Sequence, residues 1–260
     1  MNHTTLQAKA YQYIQSKILS GELAPGSHVS ELSLAHEIGI SRAPVRDAIT
    51  QLQTEGYVSR VPRSGTIVRS LERHEIVELY ELREALESYA AALAAQRATT
   101  AQIRKLEKYC DEFRLITKEL YHSGHDELEG EILRRYLAVE MAFHMQVIHA
   151  AANTQIVKLV ANTHIMSRLL SKLHHKHSFR ILLQAYQYHK RILRAVKRSN
   201  PETAQRIMAQ HIQVSKKHRL EAWDWNQAHK RLTPTTMSAL PHDIALELNR
   251  IEQEYAIQEK

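Results

Sequence analysis

The sequence predicts a mainly α protein built in two parts, an N-terminal winged helix-turn-helix followed by a C-terminal all-α antiparallel helical bundle. Three observations predict it. Only 7 Gly and 6 Pro interrupt 260 residues rich in good helix formers. Two capped helices joined by a glycine turn, then a short alternating hairpin, follow one another within the first 75 residues. Beyond Arg73 the alternation expected of strands is nearly absent.

The first helix is LQAKAYQYIQSKIL, residues 6 to 19, with apolar or aromatic side chains at 6, 10, 11, 14, 18 and 19. Gly21 and the Pro25-Gly26 turn end it. Ser30 is a suitable N-cap for ELSLAHEI, which Gly39 closes where a left-handed residue is wanted. Ser41 is a second N-cap, and RAPVRDAITQLQTE then runs to Gly56. Alternation follows in YVSRV, the turn PRSG and TIV, which reads as a two-stranded wing. Arg42 and Arg46 lie one turn apart at the start of the second capped helix, where a recognition helix presents side chains to base edges. Arg63 and Gly65 sit at the hairpin tip. An arginine there suits a narrow minor groove, and a glycine lets the backbone approach phosphate.

From Arg73 onward, HEIVELYELREALESYAAALAAQRAT reads as one long amphipathic helix and 101 to 121 as another. A third begins near Glu131 after the polar break HSGHDELEG. Asn153 caps a fourth running to about Lys172, and a fifth and sixth meet at RSNPET, with Asn200 as N-cap and Pro201 in the first helical position. LHHKHSF, residues 173 to 179, reads as solvated loop or helix end.

Composition bounds the function classes. The length suggests two domains, 1 to 74 and 75 to 230, with 231 to 260 as a linker and an amphipathic C-terminal helix. One cysteine, Cys110, excludes an internal disulfide framework. No leader pattern opens the chain and no apolar run approaches the roughly 18 residues of a membrane span, so a soluble cytoplasmic protein with no membrane partner is expected. The net charge of +7 is uneven. Residues 1 to 75 carry 8 Lys and Arg against 7 Asp and Glu, whereas residues 154 to 231 carry 16 against 3. Bulk charge therefore does not mark the DNA-reading part; the placement of its few arginines does.

Spacing also points to a second site. Glu140 and His144 stand at i and i+4 in EMAFH, on one helix face. His189 precedes Asn200 by 11 residues and His211 follows it by 11. In an antiparallel pair both imidazoles stand about 16 Å from the turn, at matching heights. One carboxylate and three imidazoles in a bundle interior suit Zn, Ni, Mn or Fe. A surface Glu-His pair is the plainer reading of EMAFH, and His149 and His164 read as core histidines or supports of the site.

SELSLAHEIGISRAPVRDAITQLQTEGYVSRVPRSGTIV closely resembles the DNA-binding domain of GntR-family bacterial transcription regulators over residues 8 to 70, through SRxPVRxAxxxLxxEGxV. The resemblance implies operator contacts from Ser41, Arg42 and Arg46, with Arg63, Ser64 and Gly65 at the wing. Ala43 stands where several relatives have a hydroxyl residue. ELREALE, ExxFHxxxxxAAxN, HxxILxA and MxxHI are similar to the FCD ligand-binding domain of the FadR-like subfamily, over residues 76 to 220. That similarity implies metal ligation by Glu140, His144, His189 and His211, with Glu where Asp is usual and zinc first among the candidate metals. It also makes Arg83 a candidate for holding an effector carboxylate, a helix-surface ion pair with Glu87 being the other reading.

The expected protein is thus a homodimeric regulator that binds a palindromic operator and responds to a small organic acid at a metal-containing pocket. The alternatives are the same regulator with a metal-free pocket, and a helical-bundle metalloenzyme.

Overall fold

Ala10, Ile14 and Ile18 recur along one face of the first helix, and burying that face starts the N-terminal core. In the computed structural model, which describes residues 5–20, 22–62, 65–125, 127–160 and 178–229, α1 spans Leu6–Ser20 and those three side chains are buried. Leu6, at the first turn, is exposed instead.

Helix α2 (Glu31–Ile38) opens where the Ser30 hydroxyl accepts the Ser33 N–H at 3.2 Å, and Gly39 closes it at φ 75°. Helix α3 (Arg42–Thr54) buries Val45, Ala48, Ile49 and Leu52 as it packs on α1. Ser41 holds the extended N-cap backbone but makes no capping hydrogen bond, contrary to expectation. The reason is local. The third helical position is Pro44, which has no N–H to donate.

Strands β1 (Val58–Val61) and β2 (Gly65–Val68) pair antiparallel in the register Val58 with Val68 and Val61 with Gly65. Gly65 sits at φ 80°, in the left-handed region that lets the chain leave the turn into β2. A bridge from His28 to Ile67 adds a further rung that no alternating pattern announced.

Among the described residues the elements that follow are helices, with one isolated bridge between Glu127 and Ser178. Helix α4 (Arg73–Arg97) starts in a capping box between Glu72 and Glu75, and α5 (Thr100–Ser123) in one between Thr99 and Gln102. Helix α6 is Gly130–Ala150. The Asn153 carboxamide then caps a helical stretch at 154–160 by accepting the Gln155 and Ile156 N–H groups. Helix α7 is Phe179–Lys197 and α8 is Pro201–His229. Asn200 accepts the Thr203 N–H at 2.9 Å to begin α8. Asn200→Ala is expected to cost about 1 kcal/mol of unfolding free energy by urea titration, the usual weight of a lost N-cap.

Helix α4 lies along α8 and also meets α6 and α7, while α5 packs on α6 and α7. Phe113, Phe143, Leu106, Ile116, Leu182 and Ile192 fill the space between them and are fully buried. The described residues divide into two compact units, one ending at Leu71 and the next beginning at Glu72. No described helix is long and apolar enough to cross a membrane. The remainder of the expected fourth helix, the histidine-rich 173–177 and the C-terminal segment from 230 lie outside the described residues.

Candidate metal centre and recognition helix

Three helices each bring donors to one point of the bundle. Helix α6 presents Glu140 and, one turn on, His144; α7 supplies His189 and α8 supplies His211. One ligand atom from each lies within 4.8 Å of all the others. The Nε2 atoms of His144, His189 and His211 are 3.1 to 3.4 Å apart. Carboxylate oxygens of Glu140 stand 3.4 Å from His144 Nε2, 3.5 Å from His189 Nε2 and 3.7 Å from His211 Nε2. The spacings leave a small polar space between three nitrogens and one carboxylate, the kind of donor set that divalent zinc takes.

The rings are fixed in that posture. His189 lies between Phe113 and Phe143, with ring centroids 4.4 Å from each. His211 stacks on His144 at 5.1 Å and meets Tyr188 at 5.4 Å. Glu87 accepts from His144 Nδ1 at 2.6 Å, so the neutral imidazole carries its lone pair on Nε2, facing the other donors. Three imidazole nitrogens so placed cannot all satisfy one another by hydrogen bonds. Among the described residues, Glu140 Oε2 and His189 Nδ1 are buried without a hydrogen-bond partner. This donor set fits a divalent cation of borderline softness.

Electrostatics agree. Burial pushes His189 well below the usual imidazole range and lowers His211 in the same way. Burial also opposes charge on His144, but Glu87 and Glu140 outweigh it and raise that imidazole. Burial alone would raise Glu140; the facing imidazoles of His189, His144 and His211 hold it well below the carboxylate range. Two imidazoles are therefore neutral at pH 7 and ready to donate lone pairs.

Arg83 and Glu87 form the ion pair foreseen for them, at 2.7 Å, but not at the surface. Arg83 is 6 % exposed and Glu87 not at all. The spacing explains the correction: Ile76, Tyr80, Arg83, Glu87, Ala90 and Ala94 follow one another at intervals of three and four, so the pair lies on the buried stripe of α4. From spacing Glu87 reads only as an ion-pair partner of Arg83, and the fold adds its contact with His144. A carboxylate within an alanine-rich apolar stripe was the available signal. His149, half-buried, is pushed down to about 4 by burial, with Lys105 reinforcing the effect, and His164 lies outside the described residues.

In the N-terminal unit Arg42 and Arg46 project from the first turns of α3 with more than half of each side chain exposed. Both contact the same oxygen of Glu31, at 3.2 and 3.3 Å, a counter-ion that sequence distance concealed. Exposed pairs of this kind are worth little and exchange readily for a phosphate or a base. Ser41 and Gly65 are exposed; Arg63 and Ser64 lie outside the described residues.

Comparison with known proteins adds three findings. The family described as "Bacterial regulatory proteins, gntR family" matches residues 6–68, and the "FCD domain" matches residues 78–214. The chain is 26 % identical over 210 residues to the uncharacterized HTH-type transcriptional regulator YdhC of Bacillus subtilis, covering 80 % of this chain and 88 % of that protein. It is also 26 % identical over 217 residues to the HTH-type transcriptional regulator LutR of the same organism, covering 75 % and 92 %. Its fold is similar to that of the solved E. coli McbR/YncC, with a TM-score of 0.67 at 18 % identity, over 84 % of this chain and 99 % of that one. These families and relatives are transcriptional regulators, not enzymes.

Proposed function

From the premise that the chain belongs to the GntR family of bacterial transcriptional regulators and carries an FCD effector-binding domain, we propose that it is a homodimeric cytoplasmic regulator of a palindromic operator, controlled by a small organic acid at a divalent-metal site. Glu140, His144, His189 and His211 hold the metal, zinc being the first candidate for a donor set of imidazoles and one carboxylate. One observation carries the reading: three imidazole Nε2 atoms and a carboxylate converge, with ligand atoms within 4.8 Å of one another. A cation held by these four residues can take an anionic ligand as a further donor by expanding its coordination. Arg83 spends its Nε on Glu87, and among the described residues no further hydrogen bond holds its Nη groups, which can take an effector carboxylate. Effector binding changes helix packing and with it the spacing at which the two readers of a dimer meet DNA.

Elemental analysis of the purified protein tests the site. About one zinc per chain, or stoichiometric uptake on titration, is expected; a protein that neither holds nor takes up divalent metal is the metal-free regulator instead. Zinc affinity should rise with pH through neutrality, because His144, whose imidazole is raised, must give up a proton on binding while His189 and His211 are already neutral. Isothermal titration between pH 6 and pH 8 measures the slope, and a flat profile contradicts it.

Ser41, Arg42, Arg46, Arg63, Ser64 and Gly65 form the proposed DNA contact. Arg46→Ala is expected to cost about 1 to 3 kcal/mol on the operator if the guanidinium reads a base, with specificity relaxed at that position. Equal loss on every sequence assigns Arg46 to phosphate; no loss on any removes it from the interface.

A further inference from the structure

No ligand-bearing helix explains why α4 carries two fully ionisable side chains on its buried face. Glu87 bridges them to the metal centre, with Oε1 on Arg83 Nε at 2.7 Å and Oε2 on His144 Nδ1 at 2.6 Å. Glu87 and His144 are wholly buried and Arg83 nearly so. Burying a carboxylate is costly, and stability gives no reason to prefer this pair over two apolar residues of the same size. Its geometry does have a chemical effect. A carboxylate at Nδ1 holds the imidazole as the Nδ1–H tautomer, turns the ring, and makes Nε2 a better donor.

From this arrangement we infer that Glu87 is the positioning residue of the metal centre, fixing the tautomer and orientation of His144, with Arg83 balancing its charge. The inference rests on the proposed metal site but concerns a residue outside the four ligands. Among the described residues His189 has no such partner at Nδ1, and two phenylalanine rings orient it instead. The centre thus uses two different devices to aim its imidazoles. Only the carboxylate can respond to charge, so an anion arriving at Arg83 and a cation arriving at His144 are linked through one side chain.

The test compares wild type with the double variant Arg83→Met, Glu87→Leu. This exchange removes both charges together and replaces them with apolar groups of similar volume, so folding is retained. Long-range 15N–1H correlation spectra of the zinc-free full chain, taken above the pH at which the spectra show His144 losing its imidazolium proton, should show it as the Nδ1–H tautomer in wild type and as a tautomeric mixture in the variant. Competition with a chelator should show zinc affinity falling about 10- to 100-fold. A wild-type His144 found as a mixture or as Nε2–H overturns the inference, as does a variant whose zinc affinity stays within about twofold of wild type. If wild type binds no zinc, the metal reading fails by itself, and the tautomer comparison still decides whether Glu87 positions His144.

Discussion

Zinc-loaded wild-type protein is expected to melt well above its zinc-free form, and His189→Ala is expected to abolish that difference. Zinc at about 1,000 times its dissociation constant stabilises a folded protein by about 4 kcal/mol. For a chain of this size that is a rise of roughly 8 to 16 °C in the melting temperature. His189 sits at the meeting point of the other donors, 3.1 Å from His211 Nε2 and 3.4 Å from His144 Nε2. Losing a partner that merely orients a ligand costs about 10- to 100-fold in affinity, so losing the ligand itself should cost more than 100-fold. Differential scanning calorimetry with and without zinc separates this from general damage, because the quantity read is the zinc-dependent increment in each protein. An alanine variant that keeps the full increment excludes His189 from the site.

The second large effect lies in the packing that holds this imidazole. Phe143 is fully buried, meets Phe113 edge to face with centroids 6.4 Å apart, and flanks His189 at 4.4 Å. Phe143→Ala removes a whole aromatic ring from a closed core and is expected to cost about 3 to 5 kcal/mol by urea titration. That is a large share of the stability of an ordinary domain. Phe143→Leu should recover most of the lost stability because it refills the cavity. The two variants should then differ in zinc binding by more than they differ in secondary structure, since the alanine frees one side of the His189 ring. A loss below about 1.5 kcal/mol for the alanine variant would mean that the site collapses around the vacancy.

Much of this could be read from residue order because the signals are local. Ser30 and Gly39, Asn153, and the Asn200-Pro201 pair announce helix ends within a few residues, where capping chemistry acts. The meeting of His189 with His211 follows from equal distance to one turn, and that of Glu140 with His144 from a single helical turn. The missed features depend on the third dimension. Glu31 reaches Arg42 and Arg46 across the interhelical turn, 11 and 15 residues away. Whether Arg83 and Glu87 faced water or the core could be settled only by noticing that they share the Ile76, Tyr80, Ala90 rhythm. Capping at Ser41 was expected because serine is the right residue in the right place; Pro44, three residues on, removes the donor it needed.

That last detail bears on how such a reader can diverge. A serine that caps its helix is tied to folding, and replacing it typically costs about 1 kcal/mol wherever the chain acts. Ser41 carries no such debt, since its hydroxyl is exposed and bonded to no helix amide. Exchanges at this position should therefore register in what the recognition helix binds and leave the fold unmoved, giving evolution a dial for operator preference that is uncoupled from thermal fitness.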